Sequence, residues 1–395
     1  MALPTSADLR GRRMNDAYDL VVSGAGPAGS TLALLAARSG LRVALVERAS
    51  FPRDKLCGEF VSAEGCAVLQ RLGLLDGLRR AGARPIRHCY VGSAALRGIE
   101  TTLPDWDRLG CAAYAVTRSR LDAALLEAAA DAGVEVFDRT RTVAVIDNGT
   151  RIDAIRVRHE RGRGERELHG LVVGADGRRS LIARGIDRGD RHLPTSDWYG
   201  LKAYYPTAPP PARHRVELHL FDGGYVGRVE VEDERSNVCM MVRRDSLRRH
   251  GGADPLLAHL GLVSGERLSR WHGLGPLTFG PRRAAGRGAL LIGDAAGTVD
   301  PYSGEGISHA LLAAEYCLPY VLAAIAEGTV TQAAERQFQK TWNRRFRRAS
   351  WRIRLLGRVL ESPIASRPML RWLNGPARSW IPWVVRQTRT AAEER

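Results

Sequence analysis

The chain has 395 residues, too many for one ordinary hydrophobic core, so two domains in close contact are expected. Its composition is 44% hydrophobic, 26% charged and 6% aromatic, which excludes a collagen-like, mucin-like or wholly disordered chain. The net charge of +16 is almost all arginine, since Lys55, Lys202 and Lys340 are the only lysines. Such a charge invites a nucleic-acid or membrane reading but fixes neither fold nor chemistry, so its placement matters.

Cys57, Cys66, Cys89, Cys111, Cys239 and Cys317 form no C-x-x-C pair, and no His follows at finger spacing. A zinc site is therefore not expected, and the thiols read as reduced and mostly buried in a cytosolic protein. Met1 to Asp16 is polar, with no apolar run of signal-peptide length, and reads as a loose arm.

Along the chain, Asp19 to Ser23 reads as a strand, Pro27 to Arg38 as a helix stopped by Gly40, and Val43 to Glu47 as a second strand. This β-α-β unit predicts a parallel sheet with a right-handed crossover. Arg120 to Ala132 predicts another helix and Val134 to Phe137 another strand. Leu171 to Gly174 and Ala289 to Gly293 are short apolar strands ending in glycine. Between them, Arg215 to Phe221, Tyr225 to Val231 and Asn237 to Val242 alternate apolar and polar residues, as an antiparallel sheet does. Pro209-Pro210-Pro211 is a stiff loop in this block. Ala310 to Ala326 is the longest apolar stretch, but Glu315 and Pro319 interrupt it, so it reads as a core helix rather than a membrane span.

The expected architecture is α/β. A Rossmann-like dinucleotide domain covers 17–190 and 281–331 and shares strands with an antiparallel-sheet substrate domain at 191–280. A basic, Trp-rich helical tail covers 332–395.

Gly24-Ala25-Gly26-Pro27-Ala28-Gly29 is a G-x-G-x-x-G between the first strand and helix. Gly24 permits the tight turn, Gly26 lets a pyrophosphate approach the backbone, and Gly29 lets helix and strand pack closely. Glu47 ends the next strand, where an acid accepts hydrogen bonds from a ribose. Gly174-Ala175-Asp176-Gly177 and Gly293-Asp294-Ala295-Ala296-Gly297 each place an aspartate at the carboxyl end of a strand, where ligands sit in open α/β sheets.

Together these three motifs resemble the FAD-binding fold of the flavoprotein hydroxylase superfamily, the fold of para-hydroxybenzoate hydroxylase. The resemblance implies that the glycine loop and Glu47 bind the ADP half of FAD and that Asp294 binds the ribityl chain. It also implies that Arg118 contacts the pyrophosphate, against the alternative of a solvated charge at a helix start. In Ser303-Gly304-Glu305-Gly306-Ile307, the amides of Gly306 and Ile307 would meet the flavin pyrimidine edge.

Phe51-Pro52-Arg53-Asp54-Lys55-Leu56-Cys57-Gly58-Glu59-Phe60 looks like the P-x-x-K-x-C-G segment of the geranylgeranyl-reductase-like branch. Gly297, closing G-D-A-A-G, fits the same branch. Two departures stand beside this. The Trp-x-Phe-Pro strand usual in prenyl reductases is absent from Gly223 to Glu230, which tips the expected reaction towards hydroxylation. Residues 61–201 contain no lysine, which disfavours a flavin halogenase.

A flavin would do the redox work, with NAD(P)H as a transient donor because no second G-x-G-x-x-G unit exists. The two reactions in play are NAD(P)H-driven hydroxylation of a lipophilic or aromatic molecule and reduction of an isoprenoid or polyketide double bond. Cys57 and Glu59 are the candidate catalytic residues. Their alternatives are a small buried hydrophobe and a helix-start acid. The scattered histidines, His309 among them, read as bland.

Gln332 to Arg395 carries fifteen Lys+Arg against four Asp+Glu and five of the eight tryptophans, so +11 of the charge lies there and +5 on the other 331 residues. Phe346, Ile353, Leu356 and Leu360 fall near helical spacing among arginines. Such a segment caps the body, touches an anionic membrane, or binds nucleic acid; without a nucleic-acid motif the last is not expected. The expected location is cytoplasmic with peripheral membrane contact through the tail.

Overall fold

The computed structural model describes residues 17–93, 96–103, 109–162, 164–188, 196–207, 214–263, 265–277, 282–298, 302, 304–347, 359, 368–369, 371–372 and 375. The N-terminal arm, the triple-proline loop, Ser303 and most of the tail beyond Arg347, including Ile353, Leu356 and Leu360, lie outside the described residues.

Apolar runs too short for helices form the first sheet. Its six strands are ordered Ala285–Gly286, Ala289–Leu291, Leu171–Gly174, Leu20–Ser23, Val43–Val46 and Glu135–Phe137. The pairings are parallel except for the antiparallel contact between Ala285–Gly286 and Ala289–Leu291. Every residue of Leu20–Ser23 and Val43–Val46 is buried, as a parallel sheet covered on both faces requires. Helix Pro27–Arg38 follows the glycine loop as the spacing predicts. The other expected helix is Arg118–Asp131, starting two residues earlier than the apolar pattern alone indicated.

Gly306–Ala326 is a single 21-residue helix with Pro319 inside it. By length and apolar character alone it could cross a membrane. Instead, it packs beside Pro27–Arg38 and Ala63–Arg71 in the main core.

The second large sheet has seven strands, ordered His272–Leu274, Trp198–Pro206, Arg235–Arg243, Gly224–Val231, Arg215–Phe221, His88–Ser93 and Leu96–Thr102. It is antiparallel except where Arg215–Phe221 runs parallel to His88–Ser93. Two of its strands therefore come from residues 88–102, far ahead of the alternating block. Side-chain alternation divides its two faces. Ala203, Tyr205, Val226, Val238, Met240 and Val242 pack outward with Leu256 and Leu257 of helix Ala253–His259. Lys202, Tyr204, Asn237, Cys239, Met241 and Tyr225 take the opposite, inner face.

The tail begins as helix Gln332–Trp342, continuing through Asn343–Arg347. Phe338, Trp342 and Phe346 are buried against the long helix. The His309 ring stacks on Phe346 at 4.3 Å and lies 5.8 Å from Trp342. The root of the tail is thus a cap on the body.

Burial pushes the His309 imidazole down to about 4. An unfolded histidine titrates near about 6.5. As the pH falls through that window, the unfolded chain takes up a proton that the fold refuses, so stability falls. Replacing His309 with Phe is expected to flatten the loss of thermal midpoint over this range. An unchanged slope in calorimetry would contradict the assignment.

Candidate active site

The glycine loop has the geometry its residues predict. Gly24 has φ +102, and a Cβ there would lie 2.5 Å from the Ala175 carbonyl oxygen. A Cβ on Gly29 would lie 1.8 Å from the Gly24 carbonyl oxygen, so any side chain would push helix and strand apart. Gly26 caps the helix with open space around it, and Pro27 opens the first turn. Ala28 is buried, its Cβ 3.1 Å from a Cβ position on Gly293.

Glu47 is buried at the end of its strand, where it buttresses this loop. Its Oε2 accepts the Ala25 N–H and its Oε1 the Ala49 N–H, both at 3.0 Å. Asp294 sits on the short turn Gly293–Ala296 after strand Ala289–Leu291, with Arg178 at 3.8 Å. Gly306 and Ile307 open the long helix, Ile307 buried and Gly306 with open space beside it.

An FAD molecule fits these residues. The helix start at Gly26 is open to a pyrophosphate, and the buried Arg53 Nε and Asp176 Oδ1 beside the loop have no hydrogen-bond partner in the protein. The Gly24–Gly29 loop and Glu47 would hold the ADP half. Asp294 would hold the ribityl chain, and the Gly306 and Ile307 amides the ring edge.

Arg118 is not a solvated helix-start charge. Its guanidinium forms a buried, two-pronged pair with Asp122 at 2.8 and 2.7 Å. Burial opposes its charge most strongly, but Asp122 and Cys57 together outweigh burial and raise its pKa. Arg53 extends the chain of charges, reaching Asp122 at 3.2 Å and Glu47 at 3.6 Å. Glu47 and the Cys57 segment are therefore one electrostatic unit.

Cys57 is half-buried; its Sγ accepts the Glu59 N–H at 3.3 Å. Glu59 has no solvent contact and a left-handed backbone, φ 57. Such a conformation costs a non-glycine residue on the order of 1–3 kcal/mol, so the surroundings must hold it. They do so from three directions. The Arg118 N–H donates to Glu59 Oε1 at 2.8 Å, which makes Glu59 an acid at a helix start as well. Lys202 Nζ and Tyr204 Oη, from strand Trp198–Pro206, donate to Oε1 at 2.7 and 2.8 Å. Asn237 Nδ2 donates to Oε2 at 2.8 Å and to the Cys57 carbonyl at 2.9 Å. Burial pushes the Glu59 carboxyl up, and Lys202 and these donors pull it only part of the way back.

Lys202 is fully buried and also donates to Asp54 Oδ1 at 2.6 Å and to Tyr204 Oη at 2.8 Å. All three of its ammonium hydrogens are thus engaged. A second acid joins the domains: buried Glu232 accepts the Thr117 N–H at 3.2 Å and its hydroxyl hydrogen.

Sequence reasoning missed Arg53, Asp122, Lys202, Tyr204 and Asn237. Arg118 and Asp122 did carry a signal, four residues apart on a helix. So did Lys202, one of three lysines in an arginine chain and one residue past the stretch examined for a halogenase lysine.

Beside this polar cluster, the inner face of the sheet turns apolar. Ile99, Leu220, Tyr225, Met241, Leu277 and Tyr302 form a buried cluster, edged by Trp198, Leu274 and Met369 of the tail. Tyr302 stands two residues before Gly304 and packs on Tyr225 at 4.4 Å. The apolar surface therefore adjoins the loop that would meet the flavin ring.

The glycine loop between strand and helix, the acid at the next strand's end and the apolar cluster beside Gly304 fit an FAD-dependent oxidoreductase. Residues 17–221 match the FAD binding domain family, and the chain belongs to it. It is 33% identical over 317 residues to the menaquinone reductase of Mycolicibacterium smegmatis, covering 75% of each chain. It is 28% identical over 346 residues to digeranylgeranylglycerophospholipid reductase 1 of Methanococcoides burtonii, covering 84% of this chain and 81% of that one. The fold also matches the flavin-dependent brominase Bmp2, with a TM-score of 0.76, 18% identity and 95% of each chain covered. The fold hosts several chemistries, so the reaction must be argued from the site.

Gly29→Ala tests the nucleotide geometry, because no rotamer relieves a Cβ at 1.8 Å from a backbone oxygen. The variant is expected to purify with little or no FAD. Stoichiometric flavin absorbance would contradict the placement of the loop.

Proposed function

We propose that this chain is an FAD-dependent reductase that saturates a carbon–carbon double bond in a lipophilic, isoprenoid-like molecule. The observation that carries the reading is the inner sheet face, which bears a buried apolar cluster beside the Gly304 loop and, farther along, meets the segment of the half-buried Cys57 through an acid and an amine tied to each other. The missing Trp-x-Phe-Pro strand favoured hydroxylation. Against it stand the similarities to a menaquinone reductase and to a prenyl-lipid reductase, which we weigh more heavily.

FAD supplies two-electron redox chemistry when bound. The chain does the rest. Tyr225, Met241, Leu220 and Tyr302 exclude water and hold an apolar chain. Cys57 is placed as the donor of the proton that the second carbon takes. NAD(P)H docks transiently as the electron source. We place the enzyme in the cytoplasm, meeting the membrane through its basic tail, where a lipophilic substrate resides.

Dithionite-reduced holoenzyme, mixed under argon with a short-chain menaquinone and reoxidised in air after quenching, is expected to return a quinone whose side chain is heavier by two hydrogens. Cys57→Ala is expected to slow this step by roughly 10²–10⁴-fold, the usual contribution of a positioned acid. Product that forms only with O2 and carries an added oxygen would overturn the reductase in favour of a hydroxylase.

A further inference from the structure

The substrate sheet carries charge at one of its ends. Strand Arg235–Arg243 stops there and passes into the short helix Arg244–Arg249, opposite the start of strand Trp198–Pro206. Trp198 and Arg243 are cross-strand partners, and the Arg243 guanidinium lies over the Trp198 ring at 4.9 Å. Arg244 lies over the Tyr199 ring at 5.4 Å and donates to its hydroxyl at 3.0 Å. Trp198 itself packs against the apolar cluster of Tyr225, Met241 and Tyr302. A guanidinium laid on an aromatic ring thus marks the edge of the surface assigned to an apolar substrate, with a second guanidinium beside it.

The tail reaches the same cluster. Met369 packs against it, and Trp372, three residues further on, is 50% exposed. Trp372 and Leu268 are the large apolar side chains left exposed among the described residues. Leu268 lies towards the other end of the sheet, its N–H on the Tyr204 carbonyl at 2.8 Å. The charges at the Trp198 end do not cancel. Arg243, Arg244, Arg248, Arg249 and Arg371 are exposed, against Asp197, Asp222 and Asp245. Arg249 occupies two of these acids, Asp222 at 3.3 Å and Asp245 at 4.0 Å, while Arg244 and Arg248 form no salt bridge among the described residues. Cations near an exposed indole match the phosphates and the polar–apolar boundary of an anionic bilayer.

We propose that this end of the sheet docks on an anionic lipid bilayer, with Arg243, Arg244 and Arg248 against the lipid phosphates and Trp372 at the polar–apolar boundary. The proposal rests on the reading above that the substrate is lipophilic. It adds a contact on the enzyme body to the one assigned to the tail, and it orients the molecule. Tyr225, Met241 and Tyr302 then lie just behind the docked edge, so an isoprenoid-like chain passes from lipid to protein without crossing water. An acidic protein would suit the arginines as well, but it gives no reason for the charge to sit at the border of the apolar cluster.

Flotation of holoenzyme with vesicles reads the contact without turnover. The protein is expected to rise with vesicles of phosphatidylcholine and phosphatidylglycerol in equal parts. Arg244→Gln and Arg248→Gln together are expected to weaken this binding roughly 25-fold, about fivefold for each charge removed. Bound flavin, read by absorbance, confirms that each variant is folded. Brominated phosphatidylcholine in the same vesicles is expected to quench part of the tryptophan emission, a part that shrinks in Trp372→Phe. No flotation of the wild type, flotation that the two arginine substitutions leave unchanged, or quenching that Trp372→Phe leaves unchanged would overturn the docking face. Flotation by an enzyme that leaves menaquinone untouched under argon would sink the reductase reading and leave the docking face standing. Reduction without flotation would sink the face alone.

Discussion

A glutamate and a lysine without solvent contact persist as charges only when each compensates the other. Removing one from such a pair leaves an uncompensated buried charge and costs about 3–5 kcal/mol. Glu59 and Lys202 are that pair here, and the rest of the site depends on them. Glu59 belongs to the segment that carries Cys57, and Lys202 to the substrate sheet. Their contact sets the distance between the Cys57 segment and the inner face of the sheet. It also holds Glu59 in a backbone conformation that glutamate alone disfavours.

The same sheet meets two demands through simple alternation. One face turns Ala203, Tyr205, Val238 and Met240 outward under a helix. The other turns Lys202, Tyr204 and Asn237 towards the Cys57 segment and, farther along, Tyr225 and Met241 towards the flavin loop. A one-residue slip would put the lysine outside and an alanine beneath Glu59. Polar latch and apolar chamber are therefore a single register choice. The Arg53–Asp122–Arg118 chain carries the constraint back to Glu47, so the sheet and the glycine loop are mechanically joined.

Much of the nucleotide half was legible in the sequence because its signals are local. A glycine whose Cβ would strike a backbone oxygen, and an acid at a strand end, appear in order along the chain. The helix Pro27–Arg38 and the strand Leu171–Gly174 lie where the pattern puts them. The catalytic half was less legible because its partners are remote: Lys202 lies 143 residues from Glu59, and Asn237 178 residues. Alternation marked the sheet but not which face would meet the flavin domain. Histidines that look isolated in sequence gain meaning only through neighbours, as His272 does beside Asp54 and His309 beneath Phe346.

The central claim is that one buried ion pair fixes the substrate sheet to the flavin-binding body. A double-mutant cycle measures it directly, with Lys202→Met, Glu59→Gln and the pair compared by chemical unfolding of holoenzyme. The account predicts that Lys202→Met alone loses about 3–5 kcal/mol and that adding Glu59→Gln recovers most of it, because the only charge then left without its lysine is the part-exposed Asp54. Additive losses, with no recovery in the double variant, would contradict it.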